Sequence, residues 1–370
     1  MRTLAASMSA PHWSYVDVLY AESRLLLEES RQASSATDAR LLTPPYDTIK
    51  NEYIQAWLLL AYYESLRVNE RQAMLTAGYA FRLVQLTRLH ELDKPSQIAG
   101  APPAGGVEAT ETFAEMEERR RTFWVAYTLD YFQCWRKEWP LTLNEDMINT
   151  RLPAPEANFQ NSQPIVTNYL ADALAKGEPE ISSLFSECIV LTTLHSRCRI
   201  HHRRTSSRQA DVDSHHEPPR NTRLYHEALI VAVEKHVKAL EQGPTMPTVE
   251  RDPMLFFIHM LAHSAIICLG SGGAVSHPGW DSESGHVYKN RATRAMAEML
   301  RLVKMVPSFS SFKSHPFLPD PLALGIAFFD TQGGAGDACP EPLLRVLRDL
   351  CYVNNIAREI CLVYDRTRQS

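Results

Sequence analysis

Residues 117–153 read EERRRTFWVAYTLDYFQCWRKEWPLTLNEDMINTRLP, and this stretch decides the fold class. Its charges come first: Glu117, Glu118, Arg119, Arg120 and Arg121. Phe123, Trp124, Tyr127, Tyr131 and Trp135 follow at roughly one-turn intervals, so they share one face of a helix. Asp130 falls on or near that apolar face, where a carboxylate is costly unless it is paired. Pro140 and Leu152-Pro153 then mark a polar, weakly periodic stretch. Arginine suits phosphate, which makes Arg119–Arg121 a candidate contact to nucleic acid. The two preceding glutamates and the helix that follows favour intramolecular pairing at a helix start.

Helical periodicity extends in both directions from there. An amphipathic helix is expected over 14–30, with Tyr15, Val18, Leu19, Leu25 and Leu26 set among charges. A polar stretch, 31–40, leads to a turn at Pro44-Pro45. Ile54, Trp57, Leu58, Ala61, Tyr62, Ser65 and Leu66 make a second stripe, and 70–89 a third. Gly78 sits inside that third helix at a cost of about 1 kcal/mol, which predicts a close helix–helix approach there. Residues 94–108 read as an exposed loop, and a further helix covers about 180–202.

Residues 203–221 are poor in apolar residues and read as a linker or long surface loop. Further stripes run from Leu224 to Leu240, stopped at Gly243, from Met254 to Leu269, from Ala292 to Val306, stopped at Pro307, and from Leu343 to Cys361. The segment 315–329 is a proline-broken apolar piece expected to turn into a short buried helix. Alternating strand patterns are absent, so the class is all-α, a multi-helix array. The expected organisation is 1–202 with core motifs in 50–156, a linker 203–221, and a C-terminal helical half 222–370 packed on the first.

The chain has 370 residues, enough for a large core, and a net charge of −5 that does not favour direct binding to nucleic acid. Its cysteines are Cys134, Cys188, Cys198, Cys268, Cys339, Cys351 and Cys361, an odd number without Cys-x-x-Cys spacing. That argues against a disulfide framework or a zinc ribbon and fits a reducing, intracellular compartment. The run from Met254 to Leu269 is shorter than a membrane span and reads as a buried core helix, so no membrane is expected. His259 and His263 are four apart, as ligands on a helix would be, but no third ligand follows; core histidines are the preferred reading. GSGGA at 270–274 has no strand before it and is a helix stop. The basic segment 195–208 is either a solvated helix end or a nuclear-localisation patch.

Three segments in order resemble the fungal-specific transcription factor domain, the regulatory middle homology region of zinc-binuclear-cluster transcription factors. They are IQAWLLLAYYE (54–64), AGYAFRLVQLTRLH (77–90) and the opening stretch. Gly78, Ala80, Arg82, Leu86, Leu89 and His90 match the second motif, with Thr87-Arg88 where a single step with glycine is usual. Glu118, Arg119, Arg120, Arg121, Trp124, Asp130, Pro140 and Pro153 match the third, with Tyr131 where arginine commonly follows the aspartate and Glu138-Trp139 in place of Gly-Arg. The resemblance implies an all-α scaffold marked by Gly78, Arg82, His90, Arg119, Arg120, Arg121, Trp124, Asp130, Pro140 and Pro153. It suggests a buried ion pair between Arg82 and Asp130.

It also implies a six-cysteine cluster with two zinc ions that contacts DNA, and nothing in these residues resembles that cluster. The first expectation is therefore a non-enzymatic nuclear transcription regulator reduced to its regulatory half, with no cofactor in this chain. Such a regulator would act through a protein partner or a homodimer, reach DNA only indirectly, and take a small-molecule effector in a pocket between its helical halves. The second is a truncated gene product whose true N-terminus carries the cluster. The third, from another class, is an all-α enzyme or small-molecule-binding protein that reuses the scaffold.

Overall fold

The computed structural model describes residues 1–38, 49–94, 111–176, 179, 181–209, 220–242, 249, 252–271, 282–305, 312–331 and 340–369. Among them are fourteen α-helices, three short 3-10 turns and no strand, only a single bridge between Arg151 and Tyr169. The chain forms two compact units, Met1–Leu170 and Ala171–Ser370.

The first unit holds α1 (Arg2–Ser7), α2 (Val16–Asp38), α3 (Asn51–Arg67), α4 (Glu70–Leu86), α5 (Phe113–Trp135) and α6 (Glu156–Gln160). Helices α3 and α4 form a tight hairpin, because the Asn69 side chain accepts from the Gln72 N–H and caps α4 directly after α3 ends. Helix α5 packs on both. It begins in a capping box: the Thr112 side chain accepts from the Glu115 N–H while Glu115 returns to the Thr112 N–H. The aromatic face identified from sequence is buried, and so is most of the opposite face, including Leu129 and Phe132. Full enclosure explains why α5 has no polar side along its second half. Helix α2 is pinned by Arg24, whose Nη1 lies 2.7 Å from Glu64 Oε1 on α3, and Glu64 also accepts from the Tyr20 hydroxyl at 2.8 Å. Glu64 is fully buried, so α2 is anchored by a desolvated charge.

A short helix, α7 (Leu170–Ala175), follows. The second unit is built from α8 (Leu184–Gln209), α9 (Arg220–Gln242), α10 (Pro253–Gly270), α11 (Ser282–Met305), α12 (Pro319–Thr331), α13 (Glu341–Leu350) and α14 (Asn355–Gln369). Helix α10 is its axis, with α8, α9, α11 and α12 around it. Asp252 caps α10, accepting from the N–H groups of Met254 at 2.8 Å and Leu255 at 3.2 Å, with Pro253 at the first helical position. α10 is long and apolar enough to cross a membrane, but 89% of that window is buried by its neighbours, as a core helix should be.

Four sequence expectations need correction. Helix α8 packs on α9 and α10 and so lies in the second unit, not with the expected 1–202 region; it also continues to Gln209, into the expected linker. The single last helix is two, α13 and α14, broken at Cys351–Asn354 by a turn in which Asn354 Oδ1 accepts from the Ile356 N–H at 2.9 Å. Gly78 has no close neighbour: a Cβ there would meet nothing within 4 Å. The close approach is at Gly270, where a Cβ would stand 2.5 Å from Ala292 Cβ and 2.6 Å from the Tyr288 carbonyl oxygen on α11. The expectations for 39–40, Pro44-Pro45, 95–108, 210–219, Gly243, 272–274, Pro307 and Cys339 lie outside the described residues.

Candidate functional site

The opening stretch folds into a desolvated ion network centred on Glu117, whose side chain is fully buried. Glu117 Oε2 accepts from Arg120 Nη1 at 2.7 Å, one turn on. Its Oε1 accepts from Arg121 Nε at 3.1 Å and from the Ala154 N–H at 2.8 Å. Arg120 spreads its fork toward Asp93, Nη2 to Oδ1 at 2.8 Å and Nε to Oδ2 at 3.3 Å. Burial works against the Arg120 charge, yet these bonds to Asp93 and Glu117 outweigh it and hold its pKa above the usual guanidinium value. Asp93 Oδ2 also accepts from the Arg151 N–H at 2.8 Å. Arg121 donates from Nη2 to the Ala154 carbonyl at 3.1 Å, pairs with Glu156 at 2.6 Å, and lies 4.2 Å over the Phe159 ring. Arg119 turns to Glu111 at 3.1 Å.

Three chain segments therefore meet on one charged cluster: the turn after α4, the first turns of α5, and the loop 149–156. Backbone bonds finish the junction. Asn149 N–H donates to the His90 carbonyl at 2.7 Å, Thr150 Oγ1 to the Leu89 carbonyl at 2.6 Å, and Trp124 Nε1 to the Arg151 carbonyl at 2.7 Å. Pro153 is buried beside Ala154. Burial lowers the His90 imidazole pKa below its ordinary value.

Asp130 serves a second loop. Its Oδ2 accepts from the N–H groups of Thr142 at 2.7 Å and Leu143 at 2.8 Å, and Cys134 Sγ approaches Oδ1 at 3.7 Å. Burial pushes the Asp130 carboxyl pKa up to about 6, against the pull of those two N–H donors. The expected ion pair with Arg82 does not exist. Arg82 is exposed on α4 and donates to Gln85 Oε1 at 2.7 Å, and Gln85 Nε2 reaches the Thr142 carbonyl at 3.3 Å. Both motif residues brace the loop after Pro140, but by way of an amide and two backbone N–H groups. Pro140 is itself exposed, its carbonyl 3.7 Å from Cys134 Sγ.

Asp93, Arg151 and Glu156 belong to the junction and were missed from sequence; their only signal was their place beside His90 and Pro153. Arg88, in the Thr87-Arg88 step where the resemblance expects a single residue with glycine, takes the left-handed conformation at φ 55. In the second unit, His259 and His263 are buried with rings 6.2 Å apart and no Nδ1 partner. His195 Nε2 lies 2.9 Å from Ser264 Oγ, and His236 Nδ1 2.7 Å from Glu187. Along the basic segment, His195, Cys198, His201 and Thr205 are buried in α8 while Arg203 and Arg204 are exposed. Among the described residues no three His, Cys, Asp or Glu side chains converge as metal ligands. Among the described residues Cys351 and Cys361 approach to 3.5 Å, and no three cysteines gather as the donors of a two-zinc cluster would.

Residues 4–233 match the fungal specific transcription factor domain. The asperfuranone cluster transcription factor afoA of Emericella nidulans is 40% identical over 97% of this chain and 57% of its own length. The citrinin biosynthesis transcriptional activator ctnR of Monascus purpureus is 36% identical over 96% of this chain and 59% of its own length. The sorbicillinoid biosynthetic cluster transcription factor 1 of Penicillium rubens is 33% identical over 97% of this chain and 63% of its own length. The chain belongs to the fungal specific transcription factor domain family. It spans less than two thirds of the length of these curated relatives. No solved structure matches it.

Proposed function

We propose that this chain is the regulatory region of a transcription regulator for one biosynthetic pathway, acting in the nucleus and not as an enzyme. The observation that carries this reading is the similarity, over nearly the whole chain, to relatives named as regulators of biosynthetic clusters. The buried junction at Glu117 supports it as a scaffold: its charges are consumed by one another, and a charge spent on an internal partner is not available to a phosphate. The net charge of −5 points the same way. DNA would be reached through a zinc cluster outside these 370 residues or through a partner that holds the DNA, and the helical surface would supply protein contacts, with a second copy as one such partner.

The test is a tethered reporter. The chain fused to an unrelated DNA-binding domain should raise transcription from that domain's operator several-fold, and Glu117→Ala should lower the output together with the folded fraction. A fusion that is folded, nuclear and silent contradicts the proposal.

A further inference from the structure

We propose that Cys351 and Cys361 form a reversible redox pair, in which a hydroperoxide oxidises Cys351 and Cys361 closes a disulfide across the turn between α13 and α14. The two Sγ atoms lie 3.5 Å apart. A disulfide requires about 2.05 Å, so closure needs roughly 1.5 Å of approach. Both cysteines are held by ordered backbone. Cys351 ends α13, its Sγ 3.2 Å from the Leu347 carbonyl and its own carbonyl accepting from Arg358 Nη2 at 3.1 Å. Asn354 fixes the turn, donating from Nδ2 to the Pro316 carbonyl at 2.7 Å, and Cys361 lies two turns into α14.

Access sets the order of events. Of the six described cysteines, Cys351 alone is not buried, and Tyr352 beside it is 81% exposed. Burial, with Cys351 adjacent, pushes the Cys361 thiol pKa up to about 12, which leaves it as the resolving partner. The Cys351 thiolate attacks the outer oxygen of the hydroperoxide; the O–O bond breaks, an S–O bond forms, and the sulfenic acid and an alcohol (water, from hydrogen peroxide) result. The Cys361 sulfur, giving up its proton, then attacks the Cys351 sulfur, and hydroxide leaves with that proton as water. Two thiols and one hydroperoxide thus give a disulfide, an alcohol and water, with two electrons passing from the sulfurs to the peroxide. The inference does not depend on the regulatory reading of the chain.

The cysteines fall in separate tryptic peptides, 349–358 and 359–366. The full chain is treated with hydrogen peroxide, alkylated and digested without reductant. The expected product is these two peptides cross-linked, two hydrogens lighter than their sum, and separated again by dithiothreitol. In Cys361→Ser, Cys351 should instead proceed to sulfinic acid. The proposal is overturned if wild-type Cys351 reaches sulfinic acid as fast as in Cys361→Ser, if both thiols remain open to alkylation, or if Cys351 links to a second copy. The wild-type peptide map decides the matter even where a variant folds poorly.

Discussion

Replacing Glu117 by alanine should destabilise the first unit more than any other single change in its ion network. Glu117 is fully buried and takes three donors: Arg120 at 2.7 Å, Arg121 at 3.1 Å and the Ala154 N–H at 2.8 Å. Without it, Arg120 keeps Asp93 and Arg121 keeps Glu156, but the Ala154 N–H is left in the dark interior with no acceptor. Removing one partner of a buried ionic cluster costs about 3–5 kcal/mol. At about 2–4 °C per kcal/mol for a unit of this size, the transition should fall by roughly 6–20 °C. Glu156, on the outer end of the same network, has a side chain 61% exposed. Its removal should cost less than about 1 kcal/mol. Tryptophan fluorescence is a suitable probe, because five of the six tryptophans, Trp13, Trp57, Trp124, Trp135 and Trp139, lie in the first unit. Urea and thermal titrations of the three proteins give the ranking. If Glu117→Ala melts no earlier than Glu156→Ala, the junction is not what holds these segments together.

Other outcomes follow from the same geometry. Asp130→Ala strands the N–H groups of Thr142 and Leu143 and should cost about 2–4 kcal/mol, while Asp130→Asn keeps an acceptor for both; a urea midpoint that falls equally for the two variants refutes this. Because the folded pKa of Asp130 is raised to about 6, its contribution to stability is fully present below the unfolded carboxylate range and is lost as pH rises through about 6; Asp130→Asn, unable to ionise, should remove that slope. Gly78→Ala should stabilise by about 0.5–1 kcal/mol, since the Cβ enters open space, whereas Gly270→Ala should destabilise by about 1–3 kcal/mol against Ala292 and Tyr288; thermal melts of the opposite sign decide. In the second unit, burial depresses the pKa of His226, His263 and His315 to about 3 and of His259 to about 4, with His195 lowered as well. These histidines fold neutral, so stability is present above the unfolded value near 6.5 and is lost as pH falls toward the folded values. Hydrogen exchange should therefore quicken in α8–α12 between pH 7 and 5.5 after correction for the intrinsic rate, and unchanged protection there contradicts the assignment.

Much of the fold was legible because the apolar spacing of each long helix is strong; the caps at Thr112-x-x-Glu115 of α5 and Asp252-Pro253 of α10 came from the structure. The junction was half legible. Arg120 and Glu117 are one turn apart, so their pairing follows from helix geometry; Asp93 lies 27 residues earlier, and only the folded turn after α4 brings it to Arg120. The Arg82–Asp130 pairing failed because a motif gives order along the chain and not the side of the helix: Arg82 faces out of α4 while Asp130 faces a loop. The break between α13 and α14 carries no glycine or proline, only Asn354 acting as a cap, so the periodicity ran through it unseen.

The central proposal is that these residues form a regulatory scaffold whose Glu117 junction spends its charges internally, with DNA contacted elsewhere. A mobility-shift titration of the 370-residue chain against promoter fragments of the pathway genes tests it most directly. The account predicts no saturable, sequence-specific complex at physiological salt; a complex that survives competitor DNA and is lost with the operator sequence would contradict it.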